Sequence, residues 1–250
     1  MKIESWTEKK KMVLNEKKTK CMIFNNSKKS QFTSDLKVKG ERLQVVEEAK
    51  LLGTIITNDL KWNENTQKLV KDANSKMRML HIASKFMNNK EDLLHIYKTF
   101  IRSRLEFSCT VWHSSLSKTN VKDIERVQKS AVRLILKDKY NNYKTALKLL
   151  NLESLFERRE RLCLRFAKKC LRMDNFKKLF PVRKVNHEMK KRKSEKYLIK
   201  HINTERYMKS SIPAMQRLLN LEELKMTSLL NSINSGTREH CYYNPISVKI

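Results

Sequence analysis

The scarcity of glycine and proline is the feature that most restricts how this chain can fold. Only three residues of each type occur among 250. Glycine supplies positive φ angles and proline fixes φ, so a chain that is poor in both has few tight turns and few helix breaks. The other residues are rich in good helix formers. The sequence therefore predicts a mainly α-helical protein.

A small β element is predicted near the N-terminus, after a short polar helix at residues 3–12. Residues 20–24 are apolar and partly β-favouring. Residues 36–38 and 43–45 alternate on either side of Lys39-Gly40, which indicates a hairpin, and a third apolar run follows at 51–56. The predicted fold class is thus mainly α with a small N-terminal antiparallel β element (α+β).

Beyond Trp62 the apolar residues recur in steps of three and four, the spacing of the buried side of a helix. This spacing predicts helices that begin near residue 63 and that cover about 91–107, 118–136 and 152–173. Pro181 then ends the helical run, and residues 212–219 indicate one more short packed element. The residues expected to face inward are Leu69, Ala73, Met77 and Leu80; Leu94, Tyr97, Ile101 and Leu105; Val121, Ile124, Gln128, Ala131 and Ile135; and Leu155, Leu162 and Phe166.

The chain carries a large positive charge. Lysine and arginine total 55 against 26 aspartates and glutamates, a formal net charge of +29. A charge of this size attracts polyanions, either nucleic acid or an anionic membrane surface. No apolar run approaches the ~20 residues that span a bilayer, and no apolar signal-peptide core follows Met1. We therefore expect no membrane partner and a protein that stays inside the cell.

The basic residues are concentrated in the fourth helix and after it. Residues 156–200 contain 17 lysines and arginines and five acidic residues. Such a cluster neutralises phosphates without reading sequence, although a merely solvated helix face is the alternative. Lys190-Lys191-Arg192-Lys193 suits either nuclear import or a solvated charge run, so nuclear and cytoplasmic locations both remain open. The residues expected to bind nucleic acid are Arg158, Arg159, Arg161, Arg165, Lys168, Lys169 and Arg172.

The residue types needed for catalysis are not grouped. A polymerase needs acidic residues that converge on two metal ions, and the sequence contains no Asp-Asp pair, no glycine-rich phosphate loop and no HExxH helix. The six histidines are far apart and the five cysteines form no CxxC pair. We therefore expect free thiols and no metal site or cofactor. Tyr97, Trp112 and Phe166 are able to stack on bases, but their helical spacing favours core positions.

Several stretches, in the same order, resemble the reverse transcriptases of jockey-type non-LTR retrotransposons. The first is similar to motif D of that family and contains Trp6, Leu14-Asn15, Lys18-Thr19 and a strand that ends at Phe24. The second, residues 49–56 with Leu60 and Trp62, is similar to motif E, the primer grip. Asn65 stands where the family usually has a histidine. The remaining matches, up to about residue 220, resemble the thumb and connector: Ile96-Tyr97, residues 105–107, Trp112, residues 124–135, Leu149, Leu152, Leu155, Arg158-Arg159, residues 205–207 and Ile212-Pro213.

The resemblance implies the C-terminal part of an RNA-directed DNA polymerase that binds an RNA–DNA template-primer. Residues 1–61 would be the end of the palm, 62–180 a helical thumb-like bundle with connector, and 181–250 a basic, partly flexible extension. Leu52 and Gly53 would lie in the turn that holds the primer end. Lys18 would correspond to the motif D lysine, a general acid toward pyrophosphate, or it is an ordinary surface lysine.

The resemblance also implies what this chain lacks. In the family the Phe/Tyr-Ala-Asp-Asp motif precedes the tryptophan that matches Trp6, so we expect the chain to begin after it. The complete enzyme would need Mg²⁺, whereas this chain is expected to bind nucleic acid without polymerising. Two alternatives remain: a helical nucleic-acid-binding or scaffold protein derived from such an element, and a pseudogene product without function.

Overall fold

The computed structural model describes residues 2–24, 35–183, 195–200 and 204–234. The chain is mainly helical with small β elements, which confirms the predicted fold class. It forms two compact units, Met1–Arg159 and Glu160–Ile250. The boundaries at residues 61 and 180 were drawn from the family resemblance and stay predictions.

The strands of the first unit are short and form three separate pairs rather than one sheet. Two pairs are antiparallel hairpins, β2 with β3 and β5 with β6, and the third pairs β1 with β4 in parallel. A hairpin turn is present at Lys39-Gly40 as predicted, but its second strand is Glu41–Arg42, whereas the predicted strand at 43–45 pairs with β1. The apolar run at 51–56, by contrast, is folded back on itself and contributes to two strands. The strands are β1 Lys20–Cys21, β2 Lys37–Val38, β3 Glu41–Arg42, β4 Gln44–Val45, β5 Glu48–Leu51 and β6 Thr54–Thr57.

Helices form the rest of the first unit, and their inward faces largely agree with the apolar spacing. Leu69, Ala73 and Leu80 are buried in the second helix, and Met77 is half-buried. In the sixth, Ile124, Gln128, Ala131 and Ile135 are buried and Val121 is half-buried. The helices of this unit are α1 Lys2–Lys9, α2 Asn63–Phe86, α3 Lys90–Ile96, α4 Ser103–Leu105, α5 Cys109–Trp112, α6 Lys118–Leu136 and α7 Tyr143–Leu149.

The helix predicted at 91–107 is interrupted by a π-helical segment, Tyr97–Arg102, between α3 and α4. Leu93, Tyr97, Ile101 and Leu105 are buried, and Leu94 is only half-buried. Residues spaced strictly by four rotate roughly 40° per step around an α-helix of 3.6 residues per turn. A π segment has more residues per turn and reduces this drift, so the four side chains remain on one buried face.

Helix α8, Leu155–Leu171, runs from the first unit into the second. The second unit also contains α9 Asp174–Lys177, α10 Glu205–Met208 and α11 Ser211–Asn234. Its core joins Cys163, Ala167 and Cys170 of α8 to Phe180, Tyr197, Met215 and Leu219. The short packed element expected at 212–219 is thus part of a helix of 24 residues. The run at 190–193 lies outside the described residues, and of the extension predicted to be partly flexible, residues 184–194, 201–203 and 235–250 do so.

Two smaller predictions are also covered by the structure. Of the described cysteines, Cys21, Cys109, Cys163 and Cys170 are not in disulfide bonds, as predicted, and Cys241 lies outside the described residues. Among the residues that were searched, none of the helices combines the length and apolarity needed to cross a membrane.

Candidate nucleic-acid interface

Helix α8 begins with a capping box, which fixes the N-terminus of the helix that carries the basic residues. The Ser154 hydroxyl accepts a hydrogen bond from the Glu157 amide at 3.2 Å, and a Glu157 carboxylate oxygen accepts one from the Ser154 amide, also at 3.2 Å. These reciprocal bonds satisfy amides that a helix N-terminus leaves without intrahelical partners. The helix carries six basic and two acidic residues.

In the second unit α8 separates its basic side chains from its buried ones. Cys163, Ala167 and Cys170 are buried, and at 100° per residue the basic residues fall on the opposite side of the helix. We call this surface the α8 basic face. Its members, all exposed, are Arg161, Arg165, Lys168 and Lys169 of α8 and Arg172, which directly follows the helix. Phe166, predicted to face inward, is 44% exposed, because the smaller Cys163 and Ala167 take the inward positions.

The members of the α8 basic face differ in their partners. Lys168 forms an ion pair with Glu222 of α11 at 2.6 Å. Arg165, Lys169 and Arg172 form no ion pair with any residue that the structure describes. An exposed cation without a carboxylate partner exchanges only solvent and counterions when a phosphate binds. A phosphate can therefore contact these three residues without breaking an ion pair, whereas contact with Lys168 would compete with Glu222.

Arg158 lies in the first unit and is engaged within the protein. Its guanidinium forms an ion pair with Glu106, which also pairs with Arg102 at 3.7 Å. The Arg158 side chain is 23% exposed. One carboxylate offsets only one of the two guanidinium charges, but the ion pair and the partial burial leave Arg158 less available to a phosphate than a solvated arginine is.

The placement of Arg159 on the exposed basic face is wrong. Arg159 is fully buried, with its guanidinium over the Trp112 ring at 5.7 Å from the centroid. Its Nε donates a hydrogen bond to Nδ1 of His113 at 3.2 Å. Burial, followed by the positive charge of Arg159, lowers the pKa of His113 to about 3. Arg159 thus belongs to the interior of the first unit and has no surface for a phosphate.

Leu52 and Gly53 form the two-residue turn between β5 and β6. Both have positive φ, 47° and 90°, as a type I′ turn requires. The Leu52 side chain is 89% exposed and Leu51 is 61% exposed, so the tip presents apolar surface to solvent. This placement is compatible with a turn that contacts a nucleic-acid end.

The hairpin is anchored at its tip. Lys68 of α2 donates a hydrogen bond to the Gly53 carbonyl at 3.0 Å, and the Ile55 amide donates to Oδ1 of Asn65 at 3.1 Å. A Cβ on Gly53 would lie 3.0 Å from the Phe107 ring. Asn65, where the resembling family usually has a histidine, therefore fastens the hairpin to the start of the helical region.

Lys18 is exposed at the end of a single 3₁₀ turn, Glu16–Lys18. Its amide donates to Oδ1 of Asn15 at 3.0 Å. Its ammonium forms no ion pair with a described residue, and no group of three or more acidic, histidine or cysteine side chains in the described part of the chain could hold a metal ion. Both interpretations of Lys18, the motif D lysine and an ordinary surface lysine, stay predictions.

A second basic surface, on α6, was missed in the sequence. Lys122, Arg126, Lys129 and Arg133 are exposed and lie at spacings of four, three and four, so they form one stripe opposite the buried side of that helix. We call it the α6 basic stripe. The sequence contains this information, because the apolar spacing that predicts the helix also places these four residues on its opposite, solvent-facing side.

The candidate site residues thus divide between the two units. Lys18, Leu52, Gly53, Arg158 and Arg159 belong to the first, and the α8 basic face belongs to the second. Comparison with protein-family models, with curated proteins and with solved structures finds no match to this chain.

Proposed function

We propose that this chain binds nucleic acid through the α8 basic face. The observation that carries the proposal is the set of three exposed cations, Arg165, Lys169 and Arg172, which have no ion-pair partner among the described residues. Arg165 and Lys169 lie on one side of α8 and Arg172 directly follows the helix, so one phosphate backbone could contact all three. Binding would release counterions and would not depend on base sequence.

The net charge of the whole chain supports the same partner. At +29 the long-range field attracts polyanions and raises the association rate. Of the two polyanionic surfaces considered, we favour nucleic acid because the basic residues form a rigid stripe backed by a packed core. A membrane-surface helix would instead place apolar side chains toward the bilayer, whereas the apolar side of α8 is covered by Phe180, Tyr197, Met215 and Leu219.

We further propose that the bound nucleic acid is an RNA–DNA template-primer, held as in the C-terminal part of a non-LTR retrotransposon reverse transcriptase. The support is the ordered resemblance together with the hairpin turn at Leu52-Gly53. An A-form-like hybrid is recognised by shape and by backbone contacts, for which a basic helix is suited. Template-dependent synthesis would need metal-binding aspartates, and the described carboxylates do not converge on a metal site.

The salt dependence of binding tests the proposal. Affinity for an RNA–DNA hybrid would be measured against salt for the wild type and for the triple variant Arg165→Gln, Lys169→Gln, Arg172→Gln. At roughly 0.9 per phosphate contact in a duplex, the slope of log affinity against log salt should become shallower by about 2.7. Lys144→Gln with Lys148→Gln, on exposed positions of α7, is the control for general charge. Equal slopes for the triple variant and the wild type would refute the assignment to α8.

A further inference from the structure

An open cavity of about 900 Å³ lies between α2 and α6 in the first unit. Four of its thirteen lining residues are carboxamides: Asn63, Gln67 and Asn74 come from α2 and Asn120 from α6. These α2 positions are spaced by four and seven, so they lie along one side of that helix and span roughly 16 Å at 1.5 Å per residue. The cavity is therefore a groove that follows the helix axes.

The carboxamides in the groove are of two kinds. Nδ2 of Asn120 donates a hydrogen bond to Oδ1 of Asn63 at 2.9 Å, and this bond links the two walls at one end. The exposed Gln67 and Asn74 side chains form no hydrogen bond with residues in the described ranges. Each offers a donor and an acceptor side by side, the pattern that pairs with the edge of a nucleobase.

The groove carries charges of both signs. Glu64 and Asp123 lie in the lining, and Asp123 pairs with Arg126 at 3.3 Å. Arg126 is 75% exposed and belongs both to the groove and to the α6 basic stripe. Carboxylates in the lining disfavour phosphate there, while the stripe beside it attracts phosphate. A carboxylate also accepts a hydrogen bond from the amino group of a cytosine.

We propose that the groove between α2 and α6 binds single-stranded nucleic acid, with bases against Gln67 and Asn74 and phosphates along Lys122, Arg126 and Lys129. The strand must be single because a concave groove admits the edges of unpaired bases, whereas the paired bases of an A-form duplex are not accessible to it. The inference rests on the proposed function only for the class of partner. It adds a second site, in the other compact unit, with some base preference.

Titrations with labelled single-stranded oligo(A), oligo(U) and oligo(C) of about twelve nucleotides test the inference. They would be carried out in the α8 triple variant, so that the α8 basic face does not mask the groove. Lys122→Gln with Lys129→Gln should weaken binding of all three oligonucleotides alike and make the salt slope shallower by about 1.4, at roughly 0.7 per contact with a single strand. Lys144→Gln with Lys148→Gln should leave binding as it was.

The double variant Gln67→Ala, Asn74→Ala tests the base contacts separately. Both positions are exposed, so the fold should be retained. We expect affinity for at least one oligonucleotide to fall roughly tenfold relative to the others, with an unchanged salt slope. If this variant lost affinity equally for all three oligonucleotides or lost none, or if the salt slope were unaltered in the lysine variant, the inference would be overturned. If the groove variants bind single strands as the α8 triple variant does, while that triple variant has lost hybrid binding, the groove is rejected and the proposed function stands. If the groove variants lose single-strand binding while the α8 triple variant keeps hybrid binding, only the assignment to α8 is rejected.

Discussion

Arg159 and His113 illustrate how a single buried contact changes the chemistry of a residue. A buried guanidinium needs compensation, and here the Trp112 ring and Nδ1 of His113 each contribute to it. The hydrogen bond requires an imidazole with no proton on Nδ1, and protonation would place two cations side by side. The neutral form of His113 is therefore built into the interior of the first unit.

This arrangement predicts that stability falls on mild acidification. The ordinary pKa of histidine is 6.5, and burial and Arg159 lower the pKa of His113 to about 3. Between these values the unfolded chain takes up a proton that the folded protein does not, so lowering the pH favours unfolding. The free energy of unfolding should decrease from pH 6.5 to about pH 5, above the range in which most carboxyl groups titrate.

The matched variants are His113→Asn and His95→Asn. Asparagine at 113 keeps an acceptor for Arg159 without a titrating ring, so the decrease over this range should become shallower. His95 is exposed, and its replacement should leave the decrease as in the wild type. A wild-type profile that is flat over this range, measured by denaturant titration, would show that the neutral imidazole is not required.

At the scale of elements, the two antiparallel hairpins are closed by turns of the same kind in different surroundings. Gly40 has φ of 86° and nothing within 4 Å of an added Cβ, whereas Gly53 has φ of 90° and the Phe107 ring 3.0 Å away. The two glycines therefore share a backbone requirement, and only Gly53 has a steric one. Comparing the two glycines therefore separates the cost of positive φ from the cost of the close contact between Gly53 and the Phe107 ring.

We expect Gly53→Ala to destabilise the protein more than Gly40→Ala does. An alanine at positive φ costs about 1 kcal/mol at either position, and the clash with Phe107 adds a similar amount at 53 only. The free energies of unfolding of the two variants, measured under the same conditions, give the difference directly. Equal losses would mean that the Phe107 ring moves aside freely and does not hold the hairpin.

The spacing of apolar residues along the sequence predicted the helices well, but it did not predict contacts between residues far apart in the sequence. The helix predicted at 118–136 is observed as Lys118–Leu136, because its apolar period, its Ser117 cap and its solvated side all lie within one stretch of sequence. The burial of Arg159 depends on Trp112 and His113, more than 40 positions earlier, and no local pattern contains that information. The same limit explains why Phe166 was placed in the core and why the groove between α2 and α6 was not foreseen.

At the scale of the whole molecule, the charge of +29 is distributed over surfaces of different character. The α8 basic face lies in the second unit, and the α6 basic stripe lies in the first beside a polar groove. Net charge predicted the class of partner, but the helical geometry decides which cations are available. Arg158 and Arg159 are engaged within the protein, while Arg165, Lys169 and Arg172 face solvent.

Chemical footprinting of Lys169 tests most directly whether nucleic acid binds at the α8 basic face. The full chain would be acylated with an amine-reactive reagent, with and without saturating RNA–DNA hybrid, and each lysine quantified by mass spectrometry. Lys169 and the control Lys144 are both exposed in the free protein. The account predicts that the hybrid slows acylation of Lys169 severalfold and leaves Lys144 unchanged, whereas an unchanged rate at Lys169 with the hybrid bound would contradict it.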